Sequence, residues 1–455
     1  MNIIVFLTDQ QRWDTLGING NPMGLTPNLD RLAREGTFFR EAVTPQPVCG
    51  PARSCLQTGQ YATTTGVHAN GPGLKAESPK LAMCFQKGGY RTGYIGKWHL
   101  SAKAENEAVP SVDRAGYQDW LAANCVELCS GPYSTRLYDE NDQPVELPGY
   151  RSDAIVDAAI RYLSKRAGSP AQPYLLFLSL LEPHHQNTDD SYPPPLGMES
   201  AYRGAWIPPD LQALGGSSPR HWPGYCAMVK RIDEGLGRLV DALHSTGQAD
   251  NTLLVFISDH GCHFKTRNAE YKRTPHESSV RVPFVLSGPG WKGGGLRDAP
   301  ASLVDLAPTL LESAGLPVPD SMQGTSLLSG TGPGKGKDAL REENYIQFGD
   351  NLLPPGRALR TSRWKYAVTA AKRHAGKAWA PSYRETHLYD LRADPYELEN
   401  LIESKAHAGI CRHFREKLRK HILQTGEPPA TIQTAKRPFR NPQRRVDYPN
   451  ERPLS

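Results

Sequence analysis

The stretch Asn2-Ile3-Ile4-Val5-Phe6-Leu7-Thr8-Asp9 is a short apolar run that ends on a carboxylate. An unbroken apolar run of this length predicts a strand buried on both faces, as in a parallel sheet. Comparable runs cover residues 174–180, 253–258 and 283–287, with a weaker one at 93–95. Helical patterns at residues 26–33 and 153–165 lie between them. This alternation predicts an α/β fold with a mainly parallel, mixed central sheet flanked by helices.

A smaller C-terminal unit is predicted after the glycine-rich stretch at residues 330–336. Because 455 residues are too many for one small core, we expect a large α/β domain over residues 1–338 and a subdomain over 339–455. Strand patterns at 358–368 and 387–391 and a helical pattern at 412–425 predict that this α+β subdomain carries a short antiparallel sheet. Residues 187–222 read as a long irregular loop. A basic, proline-rich tail contains Lys436, Arg437, Arg440, Arg444 and Arg445.

The composition is that of an ordinary globular protein, with 38% hydrophobic and 22% charged residues. A net charge of +6 suits an anionic small molecule or glycan and does not call for nucleic acid. No apolar stretch approaches the ~20 residues needed to cross a bilayer, so we expect no membrane partner. The eight cysteines show no disulfide framework, and the N-terminus shows no signal-peptide pattern. These features predict a cytoplasmic protein, or a periplasmic or secreted one if a signal has been removed.

Polar side chains follow several of the predicted strands. They are Asp9 and Gln10, Lys97 and His99, His184, and Asp259 with His260. The carboxyl ends of parallel strands line one crevice, where ligands bind in such sheets. Asp9, Gln10, Asp259 and His260 offer mainly oxygen ligands, which favour calcium, or magnesium as the alternative, over zinc.

Cys49 opens the run Cys49-Gly50-Pro51-Ala52-Arg53-Ser54-Cys55-Leu56-Gln57-Thr58-Gly59. Pro51 fits the first turn of a helix, whose N-terminal amides stabilise an anion. Arg53 lies one turn further on and can reach back to the same group. A buried cysteine before a helix is the plain alternative. A thiolate mechanism of the cysteine-phosphatase type is disfavoured because it requires Cys-x5-Arg, whereas here the arginine is four residues after the cysteine.

Further basic residues stand near these motifs. Lys97 and His99 end the stretch Gly88-Gly89-Tyr90-Arg91-Thr92-Gly93-Tyr94-Ile95-Gly96-Lys97-Trp98-His99, and Lys272 lies thirteen residues after Asp259. His184 and His185 are adjacent, and the pattern does not decide which of them acts. Candidate substrate-binding residues flank these motifs: His263, Arg267 and His276. A solvated polar loop is an equally good interpretation of these three.

Taken together, these motifs resemble the type I sulfatases of the alkaline phosphatase superfamily. The Cys-x-Pro-x-Arg core with its following Thr-Gly is one signature, and residues 88–99 match the second almost throughout. Residues 361–366 and 388–401 are similar to the C-terminal subdomain of that family. The resemblance implies that residues 1–338 form the catalytic domain.

The resemblance also implies a mechanism. A maturation enzyme would oxidise Cys49 to formylglycine, whose gem-diol would bind calcium together with Asp9, Gln10, Asp259 and His260. Gln10 stands where many relatives have a second aspartate, so an amide would take the place of a carboxylate among the ligands. Arg53 would hold the nucleophile, Lys97 and Lys272 would stabilise the sulfuryl oxygens, His184 would protonate the leaving alkoxide, and His99 would assist release of sulfate.

We therefore predict a sulfuric ester hydrolase that releases inorganic sulfate, with a small sulfated saccharide as the expected substrate. A phosphonate monoester or phosphodiester hydrolase that also uses formylglycine is the alternative. A protein that binds sulfated glycans without turnover fits less well, because no expected catalytic residue is missing. An oligomer is compatible with all three.

Overall fold

The computed structural model of the protein describes residues 1–103, 106–169, 171–328 and 341–435. Its centre is a ten-stranded sheet, accompanied by a two-stranded ribbon formed by β3 and β12. The strands of this part are β1 (Asn2–Thr8), β2 (Thr37–Phe39), β3 (Ala42–Val43), β4 (Arg91–Lys97), β5 (Asp119–Ala123), β6 (Thr135–Asp139), β7 (Pro144–Leu147), β8 (Tyr174–Ser179), β9 (Thr252–Ser258), β10 (Phe284–Ser287), β11 (Gly295–Arg297) and β12 (Ala301–Ser302).

The strand order of the large sheet is β11-β2-β10-β9-β1-β8-β4-β5-β6-β7. Its five central strands, from β9 to β5, are parallel, and Ile3 of β1 lies between Leu175 and Leu253. The expected α/β class with a mixed sheet is confirmed. The strand predicted at residues 283–287 is present as β10, but it runs antiparallel to β9. The segment between β9 and β10 contains only the short helix Glu277–Val280, too little for the crossover that a parallel neighbour requires.

Helices cover both faces of this sheet. They are α1 (Pro27–Glu35), α2 (Cys49–Thr58), α3 (Ala62–Thr65), α4 (Leu81–Lys87), α5 (Val126–Cys129), α6 (Arg151–Ala167), α7 (Pro209–Leu214), α8 (Ser218–Ser245), α9 (Glu277–Val280) and α10 (Leu306–Ser313). Alternate residues of β1 point to opposite faces. Val5 therefore packs in one core with α2, α4 and α10, and Phe6 packs in the other with α1, α6 and α8.

The C-terminal region forms a second sheet of five strands in the order β13 to β17. Its elements are β13 (Glu343–Phe348), β14 (Gly356–Thr361), β15 (Trp364–Ala370), β16 (Ser382–Asp390), the helix α11 (Ala408–Gln424) and β17 (Thr431–Gln433). The sheet is antiparallel except for the pairing of β16 with β17, as expected for the smaller α+β unit. One face packs against α11. The other packs on Val43 and Val280 of the larger part.

Two local predictions need correction. Residues 358–368 are two strands, because Thr361 Oγ1 accepts hydrogen bonds from the backbone N–H groups of Arg363 and Trp364 and turns the chain. Residues 187–222 are not irregular throughout. They include α7, a 3-10 turn at Glu199–Tyr202 and the start of α8, where a proline is tolerated because the first turn needs no N–H donor.

The predicted domain boundary at residue 338 and the basic tail lie outside the described residues. Within the part of the chain that the structure describes, no helix is both long and apolar enough to span a bilayer.

Candidate active site

The site is built where the central parallel strands end. Asp9 follows β1, Lys97 is the last residue of β4, His184 comes five residues after β8, and Asp259 and His260 follow β9. The nucleophile candidate arrives from another direction, as the first residue of α2. Asp9 and His260, which are 251 positions apart in sequence, are thus brought to one edge of the sheet by the strand order.

Cys49 lies fully buried at the centre of this cluster. Its Sγ atom is 2.9 Å from Lys272 Nζ, 3.3 Å from His260 Nε2, 3.5 Å from Asp9 Oδ1 and 3.7 Å from Lys97 Nζ. Burial raises the pKa of the Cys49 thiol, but the positive charges of Lys272 and Lys97 hold that pKa well below its usual range. The position is therefore built to stabilise negative charge on whatever side-chain atom stands there.

A group of four side chains can hold a metal ion. The ligand atoms of Asp9, Cys49, Asp259 and His260 all lie within 4.8 Å of one another, and all four residues are buried. Two carboxylates and an imidazole fit a divalent cation, with Sγ of Cys49 standing where an oxygen of a modified residue would bind. The donor set therefore fits a metal.

Gln10 takes a different position from the one expected of a ligand. Its side-chain Oε1 accepts a hydrogen bond from the backbone N–H of His185 at 3.3 Å, and its Nε2 is buried without a partner. Its backbone N–H instead donates to Asp259 Oδ1 at 3.2 Å, from a left-handed turn with φ of 72°. In this geometry Gln10 orients Asp259, and metal coordination by its amide stays a prediction.

Arg53 ties the two carboxylates together. Its Nη2 donates to Asp9 Oδ2 and its Nε to Asp259 Oδ2, each at 3.1 Å. The Nη1 group donates to the Lys97 carbonyl and to Ser179 Oγ, both at 2.7 Å. Four acceptors thus hold one buried guanidinium, which fixes the site before any substrate arrives.

Lys97 has a partner that the sequence analysis missed. Its Nζ lies 2.7 Å from Asp9 Oδ2 and 2.8 Å from Glu127 Oε1. Glu127 is on α5, just after β5, and its Oε1 is also 3.9 Å from His99 Nδ1. No motif surrounds Glu127, and β5, the strand before it, was not among the predicted strands. His99 lies near Glu127, and its part in the release of sulfate stays a prediction.

The adjacent histidines differ in their contacts. His184 Nε2 is 3.2 Å from Lys272 Nζ, whereas His185 approaches Gln10 and packs against the Tyr271 ring in a tilted arrangement, with the ring centroids 4.4 Å apart. Burial and the neighbouring His184 lower the pKa of His185, so it stays neutral. The contact with Lys272 favours His184 as the acting member of the pair.

The three candidate substrate-binding residues are engaged within the protein. His263 Nε2 lies 3.1 Å from the carbonyl oxygen of Lys272, and burial lowers its pKa to about 3. Arg267 donates to the carbonyl oxygens of Tyr396 and Glu397, and His276 Nε2 is 3.2 Å from the Tyr389 hydroxyl. The contacts of Arg267 and His276 link the C-terminal region to the site. Substrate binding by the three side chains stays a prediction.

Comparisons with known proteins agree with this geometry. The family model described as Sulfatase matches residues 1–316, and the one described as N-sulphoglucosamine sulphohydrolase, C-terminal, matches residues 269–424. The ulvan-active sulfatase of Formosa agariphila is 32% identical over 437 residues, which cover 94% of this chain and 82% of the relative. The chain belongs to the sulfatase family.

Two further relatives extend the match. The N-acetylglucosamine-6-O-sulfatase of Bacteroides thetaiotaomicron is 24% identical, over 90% of this chain and 83% of the relative. A solved Bacteroides fragilis protein assigned to the sulfatases aligns with a TM-score of 0.78 and 27% identity, covering 94% of this chain and 96% of that one. The predicted family and sulfuric ester hydrolase activity are confirmed. The Cys49 cluster of this sulfatase is consistent with a formylglycine and a divalent metal.

Proposed function

We propose that this sulfatase releases inorganic sulfate from a sulfated carbohydrate, using a formylglycine made from Cys49 and a bound calcium ion. The observation that carries the proposal is the set of cations around the buried Cys49 side chain. Lys272 Nζ is 2.9 Å from Sγ, and Lys97 Nζ is 3.7 Å from it. A sulfate ester is an anion that repels nucleophiles, so its hydrolysis needs fixed positive charge on several sides.

A carbohydrate substrate is supported by the relatives. The ulvan-active sulfatase and the N-acetylglucosamine-6-O-sulfatase are both named for sulfated sugars, and each aligns over at least 90% of this chain. The site is polar and lined with histidine and lysine, which suits hydroxyl groups and anions. The net charge of +6 also favours binding of an anionic substrate.

Each side chain has a task that follows from its contacts. Arg53 holds the two carboxylates of the metal site in place. Lys97 and Lys272 stabilise charge on the sulfuryl oxygens, because both are buried where water cannot screen them. His184, beside Lys272, is placed to protonate the departing alcohol oxygen, and His99 borders the site next to Glu127.

Two groups added to the chain would supply the remaining chemistry. A formylglycine at position 49, produced by a maturation enzyme, would supply a hydrated aldehyde with two hydroxyl groups, one as the nucleophile that displaces the alcohol from sulfur and one whose deprotonation would re-form the aldehyde as sulfate leaves. A calcium ion held by Asp9, Asp259 and His260 would make that hydrate more acidic. Oxygen ligands predominate in this set, which is why calcium is preferred, with magnesium as the alternative.

The test is release of inorganic sulfate from a panel of sulfated mono- and oligosaccharides and aryl sulfates. The protein is made in a host that forms formylglycine, and the mass of the Cys49 peptide reports the modification. We expect Cys49→Ala to lose at least about 1,000-fold in activity, because loss of a nucleophile removes the covalent route. Cys84→Ala, at a half-buried cysteine on α4, is the matched control and should keep wild-type activity.

Failure would be informative. If the protein with modified Cys49 released no sulfate but cleaved a phosphonate monoester or a phosphodiester, the sulfatase proposal would be wrong for this chain. Sulfate release from aryl sulfates alone would retain the sulfatase activity and overturn the carbohydrate substrate.

A further inference from the structure

A cationic loop joins β15 to β16. We define it as residues 371–379, with the sequence Ala-Lys-Arg-His-Ala-Gly-Lys-Ala-Trp. Lys372, Arg373 and Lys377 are exposed, His374 is half-buried, and the loop contains no acidic residue. Among the described residues, no carboxylate forms an ion pair with Lys372, Arg373 or Lys377. The loop therefore presents uncompensated positive charge to solvent.

The backbone of the cationic loop is firmly held. The N–H of Gly376 donates to the Asp350 carbonyl at 3.1 Å, and the carbonyl of Ala378 accepts from Arg357 Nη2 at 2.6 Å. Arg357 is itself buried and paired with Glu427. Three cations on a fixed backbone bind an anion at a lower ordering cost than three on a mobile chain.

Two series of contacts connect the cationic loop to the active site. Gly376 contacts the 350–351 segment, where the Asp350 carboxylate pairs with Arg273, the residue next to Lys272. A second route leads to the start of α2. Asn351 Nδ2 donates to the Asn70 carbonyl at 3.4 Å, and Asn70 Oδ1 accepts from the N–H of Gly50 at 2.9 Å. Three residues therefore separate Gly376 of the cationic loop from Cys49 on the first route, and four separate them on the second.

Exposed apolar side chains lie in the cationic loop and in the segment that it contacts. Trp379, in the cationic loop, is 42% exposed, and Leu352, next to Asn351, is 59% exposed. An aromatic ring beside several cations suits a sugar that carries an anionic group, because the ring packs on the C–H face of the sugar while the cations bind the charge. A flat exposed tryptophan with no such role is costly to leave in water.

We propose that the cationic loop is a second anion-binding subsite, for a sulfate or carboxylate on a sugar adjacent to the one that loses its sulfate. The preferred substrate is then an oligosaccharide with several anionic groups. This inference deepens the proposed function and rests on it. Asp350 accepts a backbone hydrogen bond from the cationic loop, but its carboxylate pairs with Arg273. It therefore does not neutralise the subsite.

The test compares two triple variants with equal loss of charge. Lys372→Ala/Arg373→Ala/Lys377→Ala removes the cationic loop charges, and Lys87→Ala/Arg161→Ala/Lys165→Ala removes three exposed cations from α4 and α6. For each variant, kcat/KM is measured on a multiply sulfated tetrasaccharide and on a monosulfated monosaccharide. The ratio of the two values should fall about ten-fold for the loop variant, since each exposed charge pair contributes a factor of about two to five. The fall should be mostly in KM and should shrink at high salt.

Other outcomes are distinguishable. An unchanged ratio in the loop variant, or an equal fall in the α4 and α6 variant, would overturn the subsite while leaving the sulfatase activity intact. If no sugar is a substrate, binding of a heparin tetrasaccharide to the Cys49→Ser protein still decides the matter. Loss of that binding in the loop variant alone supports an anion subsite, and equal binding to both variants refutes it.

Discussion

Glu127 is a buried carboxylate that pairs with Lys97, one of the proposed catalytic cations. Its Oε1 is 2.8 Å from Lys97 Nζ and 3.9 Å from His99 Nδ1. Burial raises the pKa of Glu127, but the positive charge of Lys97 outweighs this effect, so the pKa of Glu127 lies below its usual value. We predict that Glu127→Gln lowers kcat/KM by about 10–100-fold, because groups that orient a catalytic residue have effects of that size. The loss should be mainly in kcat, measured by sulfate release with the fold checked by circular dichroism.

The control for Glu127 is Glu146→Gln, at an exposed glutamate on β7 that pairs with Arg136. It should leave kcat/KM within about two-fold, because exposed ion pairs contribute little. Glu127→Asp should restore part of the rate, since the charge is kept. An inactive Glu127→Asp together with an unfolded Glu127→Gln would mean that the residue serves packing alone.

At the scale of elements, α9 joins the two sheets through a buried charge cluster. Glu277 pairs with Lys365 at 2.7 Å and with Arg360 at 3.0 Å, and all three side chains are buried. We predict that Glu277→Ala lowers the free energy of unfolding by about 3–5 kcal/mol, because it removes one of the two carboxylate partners from each of these buried cations. Urea unfolding measures the change. Glu234→Ala, at a partly exposed pair on α8, should cost no more than about 1 kcal/mol.

The same cluster makes the stability of the folded protein depend on pH, and the direction of the change can be predicted. Burial raises the pKa of Glu277, but Arg360 and Lys365 outweigh it and hold the pKa far below its ordinary value of 4.5. The stabilisation is therefore fully present above about pH 4.5 and is lost as the pH falls further. Glu277→Gln should flatten the acid limb of the stability curve. An unchanged acid limb would show that other carboxylates cause the acid unfolding.

At the scale of the whole molecule, three cations already lie against the side chains of the candidate metal site. Arg53, Lys97 and Lys272 lie against the carboxylates and Cys49, so Asp9 and Asp259 do not face each other unshielded. We predict that the protein stays folded in EDTA and that calcium raises its melting temperature by only a few degrees. At a calcium concentration 100 times Kd the stabilisation is about 2.7 kcal/mol. Differential scanning fluorimetry in EDTA, calcium and magnesium measures the shift.

Loss of the folded state in EDTA would contradict this balance and would make the metal a structural requirement. The matched variant is Asp259→Asn, which should abolish the calcium-dependent shift. Asp250→Asn, at a fully exposed aspartate, should retain that shift.

The sequence by itself determined the central strands and the chemistry at their ends. A strand buried on both faces must be a continuous apolar run, so β1, β8 and β9 were visible without any tertiary information. Asp9 and Asp259 could be placed together in advance, because parallel neighbours bring their carboxyl ends to one edge. The signature around Cys49 also identified the family, because the start of a helix is encoded by a few neighbouring residues.

Only the tertiary structure decided the features that depend on distant contacts. Glu127 has no motif and becomes a partner of Lys97 through the pairing of β5 with β4. Gln10 points its amide at His185, because the left-handed turn after β1 aims it away from the metal ligands. The cationic loop is linked to the site through Asp350 and Arg273, because the second sheet packs on the larger part of the molecule. The contacts of Glu127 and Gln10 join residues that are 30 and 175 positions apart, and no local sequence pattern encodes them.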